Sequence, residues 1–239
     1  MGYGRCSVRE ASWRLGLSTR VQVRNRKKLL AQTFIDEANC RGYTKYRTGP
    51  GAYAVKRDTA NGFYATISPM INLRRSIYSY DLRGGVGHPL YDEIMSTTCA
   101  DWQYFLGTPI SSRIGLDDNG DLDSSFWGLD GYEYQDQKVA SCLDRFFLAF
   151  EPWSIHCSEW RLLLEMEMAS KTDAFSRYSV PVLAKILDEF DTAVAWFKKL
   201  ENSGWRDFRW DEYTQFFRAL EDLSFDSLRH ASCLPRRKL

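Results

Sequence analysis

Ala52-Tyr53-Ala54-Val55-Lys56-Arg57, then Asp58-Thr59-Ala60-Asn61-Gly62, then Phe63-Tyr64-Ala65-Thr66-Ile67: this stretch decides the fold. Two short runs rich in β-branched and aromatic residues, parted by turn formers, predict an antiparallel hairpin with a five-residue loop. Further on, residues 71–82 are rich in Ile and Tyr and are expected to form a third strand, and Arg113-Ile114-Gly115-Leu116 a fourth, ending at the Asp118-Asn119-Gly120 turn. Upstream, Leu29, Leu30, Phe34, Ile35 and Ala38 recur at helical spacing over residues 26–40, and Gly42 stands where a C-terminal cap belongs. A shorter helix is expected at 8–16, whereas Thr19 to Asn25 alternates like an exposed strand.

From residue 137 the periodicity turns helical. Val139, Cys142, Leu143, Phe146, Phe147 and Phe150 share one face, and residues 159–168 continue as a helix. Pro181 suits the first turn of a helix running to about Asn202, and Trp210 to Leu223 forms the last. A helix, a cluster of strands and then a run of helices argue for an α+β fold. The expected core of it is an antiparallel sheet of three to five strands between an N-terminal helix and C-terminal helices. The organisation expected is a basic segment at 1–25, an α+β domain at 26–170, and a helical region at 171–239 with a disordered tail.

A chain of 239 residues, 44% hydrophobic and 26% charged, can bury a core without metal or disulfide staples. Its six cysteines are scattered with no C-x-x-C pair, as expected of free thiols in a reducing compartment, so a cytoplasmic location is expected. There is no apolar secretory leader and no run that spans a bilayer, and the start misses a myristoylation pattern by one position. No membrane partner is expected.

Motifs for chemistry are sparse. Gly84-Gly85-Val86-Gly87-His88-Pro89 has neither Walker nor dinucleotide spacing and is expected to be a flexible turn after a strand. Asp117 to Asp123 misses a calcium loop, because the glycine is not sixth and the twelfth residue is Gly128. Neither a cofactor nor a metal is expected. His156 and Cys157 are adjacent, so on a helix they diverge and form no dyad; Glu165 and Glu167 diverge likewise.

Charge is uneven although the net is +1. Ser7 to Arg24 resembles a DNA-binding helix-turn-helix, with Arg9-Glu10-Ala11, the Leu15-Gly16-Leu17-Ser18 turn and a basic continuation. The resemblance implies that Arg14, Arg20 and Arg24 approach phosphates or guanines. Ser12 replaces the usual small alanine, and Gln22 occupies the expected valine position. Residues 29–165, from the opening helix through Gly42-Tyr43-Thr44-Lys45 and the strand ending at Ile67 to the closing helices, resemble small bacterial α+β domains that include immunity proteins of polymorphic toxin systems. That resemblance implies a stoichiometric binder and carries no catalytic residues.

The expected function is therefore non-enzymatic binding of another protein, basic in character, with toxin neutralisation as the implied role. Asp121, Asp123, Asp130 and Asp136 would steer that partner, and Trp127 and Tyr132 would supply buried area. The competing account folds those two rings inward. The alternatives are a DNA-binding regulator using the basic N-terminus, and an enzyme whose site is assembled only in three dimensions.

Overall fold

The computed structural model describes residues 19–49, 52–74, 77–99, 110–114, 136–169, 176–203 and 210–230. The elements are α1 (Thr19–Cys40), β1 (Thr44–Gly49), β2 (Ala52–Asp58), β3 (Tyr64–Arg74), β4 (Ile77–Gly87), α2 (Pro89–Thr98), β5 (Ser111–Ile114), α3 (Asp136–His156), α4 (Trp160–Ala169), α5 (Ser176–Ile186), α6 (Phe190–Asn202) and α7 (Trp210–Asp222). The fold is α+β, and β1 to β4 form an antiparallel meander, as their short connections require. β5 adds a fifth strand beside β4. Thr44 pairs with Lys56 and Tyr46 with Ala54, and the register slips between Arg47 and Gly49.

The expected β2–β3 hairpin is present, with its loop wound into a 3-10 turn over Ala60–Gly62. Asn61 and Gly62 adopt positive φ there. Elsewhere the structure corrects the expectations. α1 begins at Thr19 rather than residue 26, so the alternation from Thr19 to Asn25 is helical and not a strand. Residues 71–82 are not one strand but the end of β3 and the start of β4. β3 continues through Pro69, which cannot donate to a ladder, to Arg74, beyond the expected end at Ile67. The expected helix from Pro181 to Asn202 is two helices. Asp188 takes φ 62°, and Glu189 N–H bonds to the Ala184 carbonyl while Asp188 N–H bonds to that of Lys185, which closes α5. α1 ends by the same pattern with Gly42 in the left-handed position, Tyr43 N–H reaching the Ala38 carbonyl.

The chain divides into two compact units, each assembled from separated segments. The first comprises Met1–Arg57, Ile67–Arg83 and Ile114–Ala149. Its buried residues include Phe34, Tyr43, Val55, Ile67, Phe146 and Phe147. Tyr43 packs against Phe147 at 5.6 Å between ring centroids, and two guanidiniums stack on the pair: Arg41 over Phe147 at 4.6 Å and Arg57 over Tyr43 at 4.5 Å. Arg41 also bonds the carboxylates of Glu37 and Asp144.

The second unit comprises Asp58–Thr66, Gly84–Arg113 and Phe150–Leu239. Its core unites Phe63, Leu90, Trp160, Leu183, Trp196 and Phe216 with many smaller apolar side chains. Each such ring or branched side chain contributes roughly 1.5–3 kcal/mol when buried. Pro181 lies inside α5 rather than at its start, so it has no N–H to give the Arg177 carbonyl one turn earlier. The buried Tyr213 hydroxyl from α7 donates to that carbonyl at 3.2 Å.

Candidate functional site

Titratable side chains of the second unit gather around the first turns of α2. The glycine-rich stretch leading there is not a flexible turn: Gly84 to Gly87 close strand β4 and are buried. The glycines are explained by aromatic rings lying on the backbone. A Cβ at Gly84 would sit 2.3 Å from the Phe150 ring, and one at Gly87 would sit 2.4 Å from that of Tyr64. His88 then caps α2, its Nδ1 accepting the Leu90 N–H at 3.0 Å, and Pro89 follows in the first turn.

His88 is wholly buried between Phe63 at 4.7 Å and Trp160 at 4.5 Å. Because Nδ1 accepts, the neutral ring carries its proton on Nε2. That atom faces the backbone of the Asn61–Gly62 turn. Desolvation lowers the His88 pKa from 6.5 to about 4; the Asn61 backbone works to raise it and His230 to lower it. His88 is thus a neutral structural cap at physiological pH.

One turn on, the Asp92 carboxylate receives the Tyr64 hydroxyl at 2.5 Å. Glu93 binds the turn that follows α7. Its Oε1 accepts the Arg229 N–H at 2.8 Å, and its Oε2 accepts the His230 N–H at 3.0 Å and faces the His230 Nδ1 at 2.7 Å. A carboxylate that fixes one ring nitrogen leaves the other, here on a half-exposed ring, as the outward base. A second polar group lies deeper. Glu167 of α4 is buried and accepts the Ser179 hydroxyl at 2.8 Å, and its charge helps burial push the Tyr91 hydroxyl well above its ordinary value.

The residues singled out from the sequence fall elsewhere. Asp121, Asp123, Trp127, Asp130, Tyr132 and Arg14 lie outside the described residues, as does the tail from 231. Asp136 is the first residue of α3. Arg20 and Arg24 lie in the first turns of α1, where the helix brings positions 20, 24, 27 and 28 to one face, all of them Arg or Lys. His156 and Cys157 do diverge: His156 is exposed, while Cys157 is buried 3.6 Å from the Met166 sulfur. Glu159 caps α4 through the Arg161 and Leu162 N–H groups. Glu165 is exposed and Glu167 buried, as their spacing requires.

Sequence reasoning missed Glu93, His230, Tyr64 and Asp92 as a group. Glu93 and His230 alone are 137 residues apart in sequence, and no local pattern joins the group. The helix beneath them did leave a signal in Pro89, Asp92 and the Leu90–Ile94 spacing. Among the described residues no three His, Cys, Asp or Glu side chains converge as metal ligands, and no helix is long and apolar enough to cross a membrane. No protein-family model, no curated protein and no solved structure matches this chain.

Proposed function

We propose that the protein acts by binding another, basic protein, and that neutralising a toxin is the role such binding serves. The observation that supports this reading is the outer face of α3. Leu148 is 72% exposed and Ile155 55%, seven residues apart, with exposed Pro152 between them. Spacings of four and three put the three on one stripe. Pro152 also has no N–H for the Leu148 carbonyl, so an acceptor is left beside the exposed leucine. This helix emerges from the stretch 117–136, whose seven carboxylates include Asp136 at its first position. An exposed apolar stripe on a helix that follows a dense acidic segment in sequence suits a basic partner, which the charge steers and the stripe holds.

Leu148→Asp tests the stripe. Because Leu148 is exposed, the melting temperature stays within about 2 °C of wild type. A basic protein retained by the wild type and identified by mass spectrometry then dissociates at least tenfold faster from the variant. Changing Asp121, Asp123, Asp130 and Asp136 to Asn slows association, most at low salt. If both variants keep wild-type rates at every salt concentration, the reading is wrong.

The nucleic-acid reading has one observation in its favour. α1 carries Arg20, Arg24, Arg26, Lys27 and Lys28 in its first ten residues and has no acid in its first turn. Cations at the positive end of a helix, one turn apart, repel the dipole and each other. A polyanion relieves both costs.

A further inference from the structure

We infer that residues 225–230 form a strap held over α2 by the single carboxylate of Glu93, and that neutralising this carboxylate opens it. The strap consists of the 3-10 turn Phe225–Ser227, then Leu228, then the turn at Arg229 and His230. Leu228 is buried in the core of the second unit, and Phe225 packs against that core from its edge. Beyond the Leu228 side chain, the polar attachment among the described residues is Glu93, whose two oxygens take up two consecutive backbone N–H groups and the His230 ring. The carboxylate is only 15% exposed, and the Arg229 side chain is 91% exposed and stands 3.8 Å off. Arg229 therefore contributes its backbone rather than its charge to the attachment.

Among the described residues, the charged groups facing the latch are few. On the strap they are Arg229 and His230; from the start of α2, His88 is near enough to feel the His230 charge. Burial works to raise the Glu93 pKa, but the Arg229 N–H, the His230 ring and the His230 N–H outweigh it, and the net shift is downward. The sign follows. A depressed carboxylate holds the strap fully above its unlatched pKa and releases it as acid carries the pH down through its lowered value. Glu93 Oε2 is shared between the His230 backbone N–H and the His230 ring nitrogen, so one carboxylate oxygen carries both contacts. His88, charging in acid, repels a cationic His230 and favours release. What opening uncovers is the apolar surface that Leu228 fills, so the strap is an acid-released cover of that surface.

The peptide bond between Arg229 and His230 is itself a trypsin site, and its N–H is one of the groups that Glu93 holds. Cleavage there reports opening directly. In Glu93→Gln the amide cannot accept both N–H groups and the ring, and cleavage after Arg229 becomes at least tenfold faster. His230→Ala keeps the two backbone bonds and loses the ring, so it speeds cleavage by only about threefold. Cleavage after the exposed Lys199 in α6 stays at the wild-type rate in both, which separates strap opening from global unfolding. Exchange of the Arg229 and His230 amides in the wild type, corrected for the intrinsic pH dependence, quickens on acidification before the amides of α5 do. Equal cleavage after Arg229 in wild type and Glu93→Gln overturns the inference. So does a rise at Arg229 and Lys199 together with strap amides that exchange in step with α5, because the strap then opens only with the whole unit.

Discussion

α1 and α7 are both legible as helices, and the two owe their helicity to different things. α7 buries Tyr213, Phe216, Phe217 and Leu220, one side of a helix whose other side is charged, and it starts with Asp211 and Glu212. Its rings stack into a chain: Phe197 lies 5.6 Å from Tyr213 and 4.6 Å from Phe217, and Tyr213 lies 6.0 Å from Phe216. α1 buries Phe34, Ile35 and Ala38 in its second half, while the sequence of its first half is rich in cations. A helix made by burial announces itself through periodicity. One whose first turns carry charge does not, which is why the sequence suggests a strand at Thr19 to Asn25 where the structure has a helix.

Phe216→Ala strikes hardest at the α7 side of this contrast. It removes a buried ring from a packed aromatic cluster and costs about 3–5 kcal/mol, read as a fall in the urea midpoint at unchanged slope. A loss under about 1 kcal/mol means that α7 is less embedded than its burial states.

Acid comes next, through His88. The folded pKa near 4 lies below the unfolded value of 6.5, so unfolding takes up a proton between those limits. Stability contributed by the neutral ring is present above about pH 6.5 and is lost as pH falls toward 4, by about 3 kcal/mol in all. Urea titrations at pH 7 and pH 4.5 measure it. His88→Asn keeps a side-chain acceptor for the α2 cap and flattens that dependence. If the variant retains the wild-type slope, another group is titrating.

Tyr213→Phe is a finer cut. It leaves the ring stack in place and withdraws the donor that Pro181 makes necessary at the Arg177 carbonyl, costing about 1–2 kcal/mol. A neutral outcome shows that water replaces the hydroxyl there.

On α1 the effect on stability is smallest. Arg20→Ala with Arg24→Ala changes the melting temperature by less than about 2 °C or raises it slightly, because like charges one turn apart repel. If duplex DNA binds, the same pair lowers the slope of log affinity against log salt by about 2. Unchanged salt dependence removes these two residues from any DNA interface.

Much of the architecture was legible because it is local. The β2–β3 hairpin, the C-terminal halt of α1 at Gly42, the apolar face of α3 and the helices α4 and α7 all follow from periodicity and turn chemistry within a few residues. The break at Asp188 was hidden, since it depends on a left-handed aspartate that no pattern marks. The continuation of β3 from Ile67 to Arg74 was hidden as well, because Pro69 cannot donate to a ladder yet lies within the strand. Of the candidate residues, the acidic and basic ones were singled out by composition, whereas Glu93 and His230 become partners only once α2 and the turn after α7 are packed.

The sequence by itself determined the class of fold, the order of most elements and the uneven placing of charge, because backbone propensity and hydrophobic period act over neighbours. Tertiary structure alone decided three things. It made His88 a buried neutral cap, set the Tyr213 hydroxyl against the Arg177 carbonyl that Pro181 cannot serve, and placed Glu93 under the Arg229–His230 turn. Each depends on which groups lose water together, and desolvation is a property of the packed chain rather than of any segment of it.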